Sequence, residues 1–332
     1  MSNIRKAFTS GKAFIAFITC GDPDLETTAA VVRSAVENGA DLIELGIPFS
    51  DPTAEGPVIQ GANLRALSGG VTTDKVFSLV RDLRRDVSVP MVFMTYSNVV
   101  FSYGAERFIS TCHEIGIDGL ILPDLPFEEK DEFLPICRQY DVDLISLIAP
   151  TSENRIAMIA EEAEGFIYVV SSLGVTGMRS EIKTDLASII KVIRENTDVP
   201  CAIGFGISTP EQAKKMADLS DGAIVGSAIV KLLEKHGKNA SEYVGAYVKS
   251  MKDAIRKRTY SYVMRDKDDI LVEYISVGQR WYKPPLPDAF YYLSLHCLHR
   301  FYSDARVRRR SSRSSAWSPR GRRAGRGRYL RM

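Results

Sequence analysis

The chain has 332 residues, 45% of them hydrophobic, enough to bury the core of one large or two ordinary domains. Its formal charge of +2 averages two unlike parts: residues 259–332 hold 16 Lys/Arg against 6 Asp/Glu, and the 258 residues before them 27 against 35. Five widely spaced cysteines (Cys20, Cys112, Cys137, Cys201, Cys297) show no paired metal-ligand spacing, which argues against a disulfide scaffold or a zinc site and for reduced thiols in a cytoplasmic protein. No stretch of about 18 uncharged apolar residues exists, so no membrane span is expected.

At the N-terminus, Arg5, Lys6 and Lys12 precede the apolar run 13–18 and imitate a signal peptide. The run is short, and Asp22, Asp24 and Glu26 follow at once, so it reads as a first strand. From there short apolar runs alternate with longer amphipathic ones. Strands are expected at 14–19, 42–45, 90–95, 119–122, 142–148, 166–170, 200–203 and 222–225. Helices are expected at 25–38, 73–86, 104–114, 127–140, 152–162, 183–195, 209–217 and 227–254, with an extra short one at 57–67. Eight βα units in about 250 residues fit a TIM-type (β/α)8 barrel, a closed parallel sheet with helices outside. A doubly wound open sheet is the rival; it would place a glycine-rich loop after strand one, where this chain has Gly21-Asp22-Pro23.

Composition breaks at 257–260. Residues 306–331 hold eleven arginines and no lysine, among Ser, Gly and Pro, and cannot form a core. A largely disordered basic extension over 258–332 is expected, with a short amphipathic helix at 286–303. Such a tail either binds a polyanion through phosphate contacts or is inert, unselected coding sequence.

Candidate chemistry concentrates in residues 41–61, DLIELGIPFSDPTAEGPVIQG. Glu44 sits in an apolar strand that has no packing use for a charge, and an isolated buried carboxylate costs several kcal/mol unless it is paired, hydrated or protonated. The Gly/Pro-punctuated loop after it is long enough to bring Glu55 back over the same strand end. The second signal is glycine after strands six to eight. In a barrel, loops after strands seven and eight bind phosphate through backbone N–H groups and a helix N-terminus, as Gly204-Phe205-Gly206 and Gly226-Ser227 would. Gly174-Val175-Thr176-Gly177 would add a third wall.

The runs FITCGDPD, ELGIPFSDP, AEGP, LGVTG, IGFGIS and VGSAIVK stand in the order and spacing of one family. Over roughly its first 257 residues the chain resembles the tryptophan synthase alpha subunit. That resemblance implies a barrel lyase that cleaves indole-3-glycerol phosphate to indole and glyceraldehyde 3-phosphate in tryptophan biosynthesis, with no metal or organic cofactor. It implies that Glu44 carries the proton traffic and that Glu55 pairs with the indole N–H. Phe17, Met94, Ile121, Ile148 and Phe205 would line an apolar slot, with Tyr168 towards the glycerol hydroxyls. Thr176 and Gly177 would form the closing loop, and Gly206, Gly226 and Ser227 the phosphate nest. The implied partner is a pyridoxal-phosphate-dependent beta-type subunit in an alpha2beta2 heterotetramer, docked through loops 50–57 and 171–179.

Two departures stand out: Glu55 replaces the family's commoner aspartate, and Ser172-Leu173 stand where many relatives have an arginine. Asp124 is expected to orient loops, and His113 and His236 to lie on solvated faces. Three alternatives remain: a stand-alone indole-releasing lyase; a barrel serving as carrier for a polyanion-binding tail; and the related indole-glycerol phosphate synthase, which would need a strand-end lysine that the strands here lack.

Overall fold

The first strand, β1 (Ala13–Thr19), is buried along all seven residues, as a parallel strand covered on both faces must be. Its alternate residues part company. Ala13 and Ile15 join an interior cluster built almost wholly from strand residues, whereas Phe14, Ala16 and Ile18 pack with the helices. The same alternation recurs in β2 (Leu42–Gly46), β3 (Met91–Met94), β4 (Gly119–Ile121), β5 (Asp143–Leu144), β6 (Ser146–Ile148), β7 (Ile167–Val170), β8 (Cys201–Gly204) and β9 (Gly222–Val225). All pair in parallel, in the order β5-β4-β3-β2-β1-β9-β8-β7-β6.

This computed structural model describes residues 3–171, 185–204 and 206–256, together with the backbone strands at 260–265, 271–277 and 280–282. The two edge strands of the sheet, β5 and β6, are one expected strand interrupted at Ile145. Its first half pairs with β4 and its second with β7, so the chain itself closes an eight-stranded barrel. The Ile145 N–H still donates to Leu120 O at 2.9 Å, which keeps the interrupted stretch tied to β4.

The helices form the outer ring: α1 (Leu25–Glu37), α2 (Pro57–Ser68), α3 (Thr73–Leu83), α4 (Ser97–Tyr103), α5 (Ala105–Ile115), α6 (Leu134–Gln139), α7 (Glu153–Glu161), α8 (Leu186–Asn196), α9 (Pro210–Leu219), α10 (Ser227–His236) and α11 (Ala240–Ile255). Side chains cap several starts, with Asp24 accepting from Thr27 N–H and a Thr209/Gln212 capping box opening α9. Two expected helices are divided. The segment 127–140 becomes a 3-10 turn, Phe127–Glu132, followed by α6, whose start carries Pro135. The segment 227–254 breaks at Gly237, whose φ of 53° lies in the left-handed region that ends α10. Helix α4 is an addition to the expected set, and a 3-10 helix, Asn3–Phe8, places Ile4 and Ala7 in the barrel's interior cluster.

Helix α11 is fastened by a partly buried ion pair: Lys252 Nζ lies 2.6 Å from Asp41, whose carboxylate also accepts from Phe14 N–H. That pairing holds the entry to β2 from Asp41, three residues before Glu44. Beyond the barrel unit, Met1–Lys257, lies a second unit, Arg258–Met332. Its described part is an antiparallel set of β10 (Tyr260–Arg265), β11 (Leu271–Val277) and β12 (Arg280–Tyr282). The helix expected at 286–303 and the arginine-rich stretch lie outside the described residues. No helix among the described residues is long and apolar enough to cross a membrane.

Candidate active site

Strand parity decides which side chains reach the barrel axis. In β2, Leu42 faces the interior cluster and Glu44, two residues on, follows it to the same side. Glu44 is the register partner of Phe17 on β1, and both line one cavity. Its side chain is buried, and neither carboxylate oxygen has a hydrogen-bond partner among the described residues. Burial, and then the charge of Glu55, push its pKa up to about 8. At neutral pH Glu44 therefore holds a proton that it can give up.

Glu55 enters the cavity from the loop between β2 and α2. Pro57 opens α2, and the first turns of that helix hold the loop: Gln60 Nε2 donates to Glu55 O at 2.8 Å, and Asn63 Nδ2 to Glu55 Oε2 at 2.6 Å. Tyr96, after β3, accepts from Ala54 N–H at 3.2 Å and also hydrogen-bonds the Glu55 carboxylate. Burial raises the Glu55 pKa to about 7, with the Asn63 and Tyr96 hydrogen bonds opposing the rise. Two carboxyl groups with neighbouring titrations thus share one cavity, an arrangement suited to moving a proton.

Across the barrel, Tyr168 on β7 is buried; desolvation, and then the charge of Glu44, drive its phenol well above its ordinary pKa. Its ring fits because β8 ends on glycine: a Cβ at Gly204 would lie 2.5 Å from the Tyr168 hydroxyl. At the far wall, Gly226 precedes α10 without a side-chain cap, and Ser227 is the helix's first residue. Uncapped N–H groups and the helix dipole make that corner receptive to an anion.

Of the residues expected from sequence, Phe17, Glu44, Glu55, Met94, Tyr168, Gly206, Gly226 and Ser227 line this cavity together. Ile121, the register partner of Met94, is buried in the barrel interior and is not part of the wall. Ile148 is a correction: it turns outward to the helices, and Leu147 occupies the inward position in its place. Thr176, Gly177 and Phe205 lie outside the described residues. Ala54, Ile59, Pro123, Ile207 and Ile224 also line the cavity and were not anticipated. Asp124 accepts from Ser97 N–H at 2.9 Å, fixing the loop that carries Tyr96, and His236 stacks on Tyr243 at 3.6 Å.

Fold and cavity together define a (β/α)8-barrel enzyme of the acid-base type, with its paired carboxylates at the C-terminal mouth of the strands. Comparison narrows the class. Residues 4–257 match the family model for the tryptophan synthase alpha chain. The chain is 49% identical over 255 residues to the tryptophan synthase alpha chain of Lacticaseibacillus casei, covering 77% of this chain and 96% of that one. It is 48% identical over 260 residues to that of Lactiplantibacillus plantarum, covering 78% and 98%. Among solved structures, tryptophan synthase subunit alpha from Legionella pneumophila superposes with a TM-score of 0.70 at 36% identity, covering 77% and 98%. A chain of the Pyrococcus furiosus tryptophan synthase a2b2 complex gives 0.68 at 33%, covering 73% and 98%. The chain belongs to the tryptophan synthase alpha chain family.

Proposed function

We infer that this chain is an alpha-type lyase that cleaves indole-3-glycerol phosphate to indole and glyceraldehyde 3-phosphate in tryptophan biosynthesis. The observation that carries the reading is Glu44: a buried carboxyl group without a hydrogen-bond partner among the described residues, in a cavity wall beside a second carboxylate and a helix N-terminus. An unsatisfied buried acid is retained where a substrate supplies what the fold withholds.

The reaction needs those groups. Indole leaves only after its ring is protonated at C3, and the side-chain hydroxyl must lose its proton as the carbon-carbon bond breaks. Glu44 delivers the first proton and recovers the second, so it ends the cycle as it began. The electron pair of the breaking bond returns to the ring, and the former hydroxyl becomes the aldehyde carbonyl. Glu55, charged, accepts the indole N–H and stabilises the protonated ring. Phe17, Met94, Leu147 and Ile59 hold the apolar ring, Tyr168 faces the glycerol hydroxyls, and the N–H groups at Gly206, Gly226 and Ser227 hold the phosphate. No cofactor takes part in this step.

Indole is small and apolar and escapes readily, so the lyase works as the alpha component of an alpha2beta2 assembly whose beta-type subunit consumes it. The likeness to the Pyrococcus furiosus a2b2 complex supports this. The mouth loop at 50–57, where Ser50 hydrogen-bonds Asp51, is the proposed docking segment. The free, buried thiols of Cys20, Cys112, Cys137 and Cys201 fit a cytoplasmic enzyme.

Purified chain should release indole and glyceraldehyde 3-phosphate in equal amounts, read by a dehydrogenase-coupled assay, and faster when a beta-type subunit is added. Absence of cleavage in both conditions would refute the lyase; cleavage without activation would favour a stand-alone enzyme.

A further inference from the structure

We propose that Asn63 is a positioning residue for the cleavage, its side-chain amide engaging one oxygen of Glu55 so that the other is presented to the ring N–H of the substrate. The proposal rests on the lyase reading above. Asn63 is buried at 3% exposure on α2, flanked on the same face by Ile59, Ala62 and Ala66. An asparagine gains nothing there from packing, and a buried amide is costly unless hydrogen-bonded. Its partner is Glu55 Oε2, 2.6 Å away.

Gln60, one helical turn earlier, fixes the backbone carbonyl of the same glutamate. A single rigid element therefore holds Glu55 at both its main chain and its side chain. Among the described residues, the groups that face Glu55 are Glu44 from β2, Tyr96 after β3, and Asn63 and Gln60 from α2, while Tyr168 on β7 responds to Glu44. No lysine, arginine or histidine is among the described residues of the cavity wall. Among the described residues, the Asn63 N–H and the Tyr96 hydroxyl are what offset desolvation of the Glu55 carboxylate and favour its ionised form. Asn63 thus sets both the direction of the second carboxylate and the pH at which it becomes competent.

Two sets of variants test this. In Asn63→Leu, of similar volume but without a donor, the Glu55 carboxyl should titrate about one pH unit higher by carbon-13 NMR, the scale of one hydrogen bond to a charged group. The acid limb of kcat/KM should move with it, leaving activity at pH 7 about tenfold lower. A merely structural role would lower activity without moving the limb. The second set needs no apolar replacement: Glu55→Asp shortens one partner, and Asn63→Gln lengthens the other. Activity of the Glu55→Asp/Asn63→Gln double variant should exceed that of Glu55→Asp alone by about fivefold. Effects that simply multiply, or an unmoved titration in folded Asn63→Leu, would overturn the proposal. If the wild-type chain cleaved no indole-3-glycerol phosphate, the lyase reading would fall, and the NMR titration would still decide whether Asn63 controls Glu55.

Discussion

Replacing Glu44 by glutamine separates the chemistry of this residue from its cost to the fold. The amide fills nearly the same volume but cannot deliver a proton, so turnover should fall by about three orders of magnitude with KM changed little. Stability should move the other way. Burial pushes the folded carboxyl up to about 8, against 4.5 in the unfolded chain, so between those values the native state binds more protons than the unfolded chain and its stability falls as pH rises. Each pH unit within the window costs about 1.4 kcal/mol, which amounts to roughly 3 kcal/mol between pH 5.5 and pH 8. Glutamine does not titrate and escapes that loss. Relative to wild type, Glu44→Gln should therefore gain about 6 to 12 °C in Tm on going from pH 5.5 to pH 8, at 2 to 4 °C per kcal/mol for a domain of this size. Scanning calorimetry at the two pH values, beside the indole-release assay, reads both effects. Near-normal turnover would refute the catalytic assignment, and a Tm difference independent of pH would refute the buried, protonated state.

Glu55→Ala should slow cleavage about a hundredfold while leaving inhibition by inorganic phosphate unchanged; an unaltered rate would remove Glu55 from the mechanism. The kcat/KM profile should be a narrow bell, falling below about pH 7 as Glu55 takes up a proton and above about pH 8 as Glu44 loses one, the two limbs belonging to the coupled pair; a flat profile from pH 6 to 9 would contradict this. In Gly226→Val the new Cβ would come within 3.2 Å of the Phe17 ring at the N-terminus of α10, so KM should rise more than kcat falls, and steady-state kinetics with phosphate competition would show it. Deleting residues 259–332 should leave cleavage, docking and activation by a beta-type subunit intact, because the family match ends at residue 257; activation confined to the full-length chain would make the extension part of the interface.

The barrel was legible because strands buried on both faces produce uninterrupted apolar runs, and those runs stand out between amphipathic helices. The same physics hid the finer detail. With no polar alternation along 142–148, nothing in the sequence says that the strand breaks at Ile145 or that Leu147, not Ile148, turns inward. The division between α10 and α11 depends on a positive φ at one glycine, and the sequence admits a continuous helix there equally well.

Glu44 and Asn63 show what separates a signal that was read from one that was passed over. Glu44 is conspicuous because the strand around it is wholly apolar, so a single charge breaks the pattern. Asn63 breaks a pattern too, but at the period of a helix: Ile59, Ala62 and Ala66 share its buried face at spacings of three and four, and a polar residue there is as anomalous as a glutamate in a buried strand. Read linearly, NLRALS is ordinary helix sequence. Read around the helix axis, it places an amide donor on the buried face, where a burial cost has to be met by a partner. The partner is Glu55, eight residues earlier, because Pro57 starts α2 directly after the loop and brings its second turn back against the loop's own carboxylate. Both residues obey one rule: a polar side chain on a buried face requires either a partner within the fold or a substrate. Asn63 has the first, and Glu44, left without it among the described residues, awaits the second.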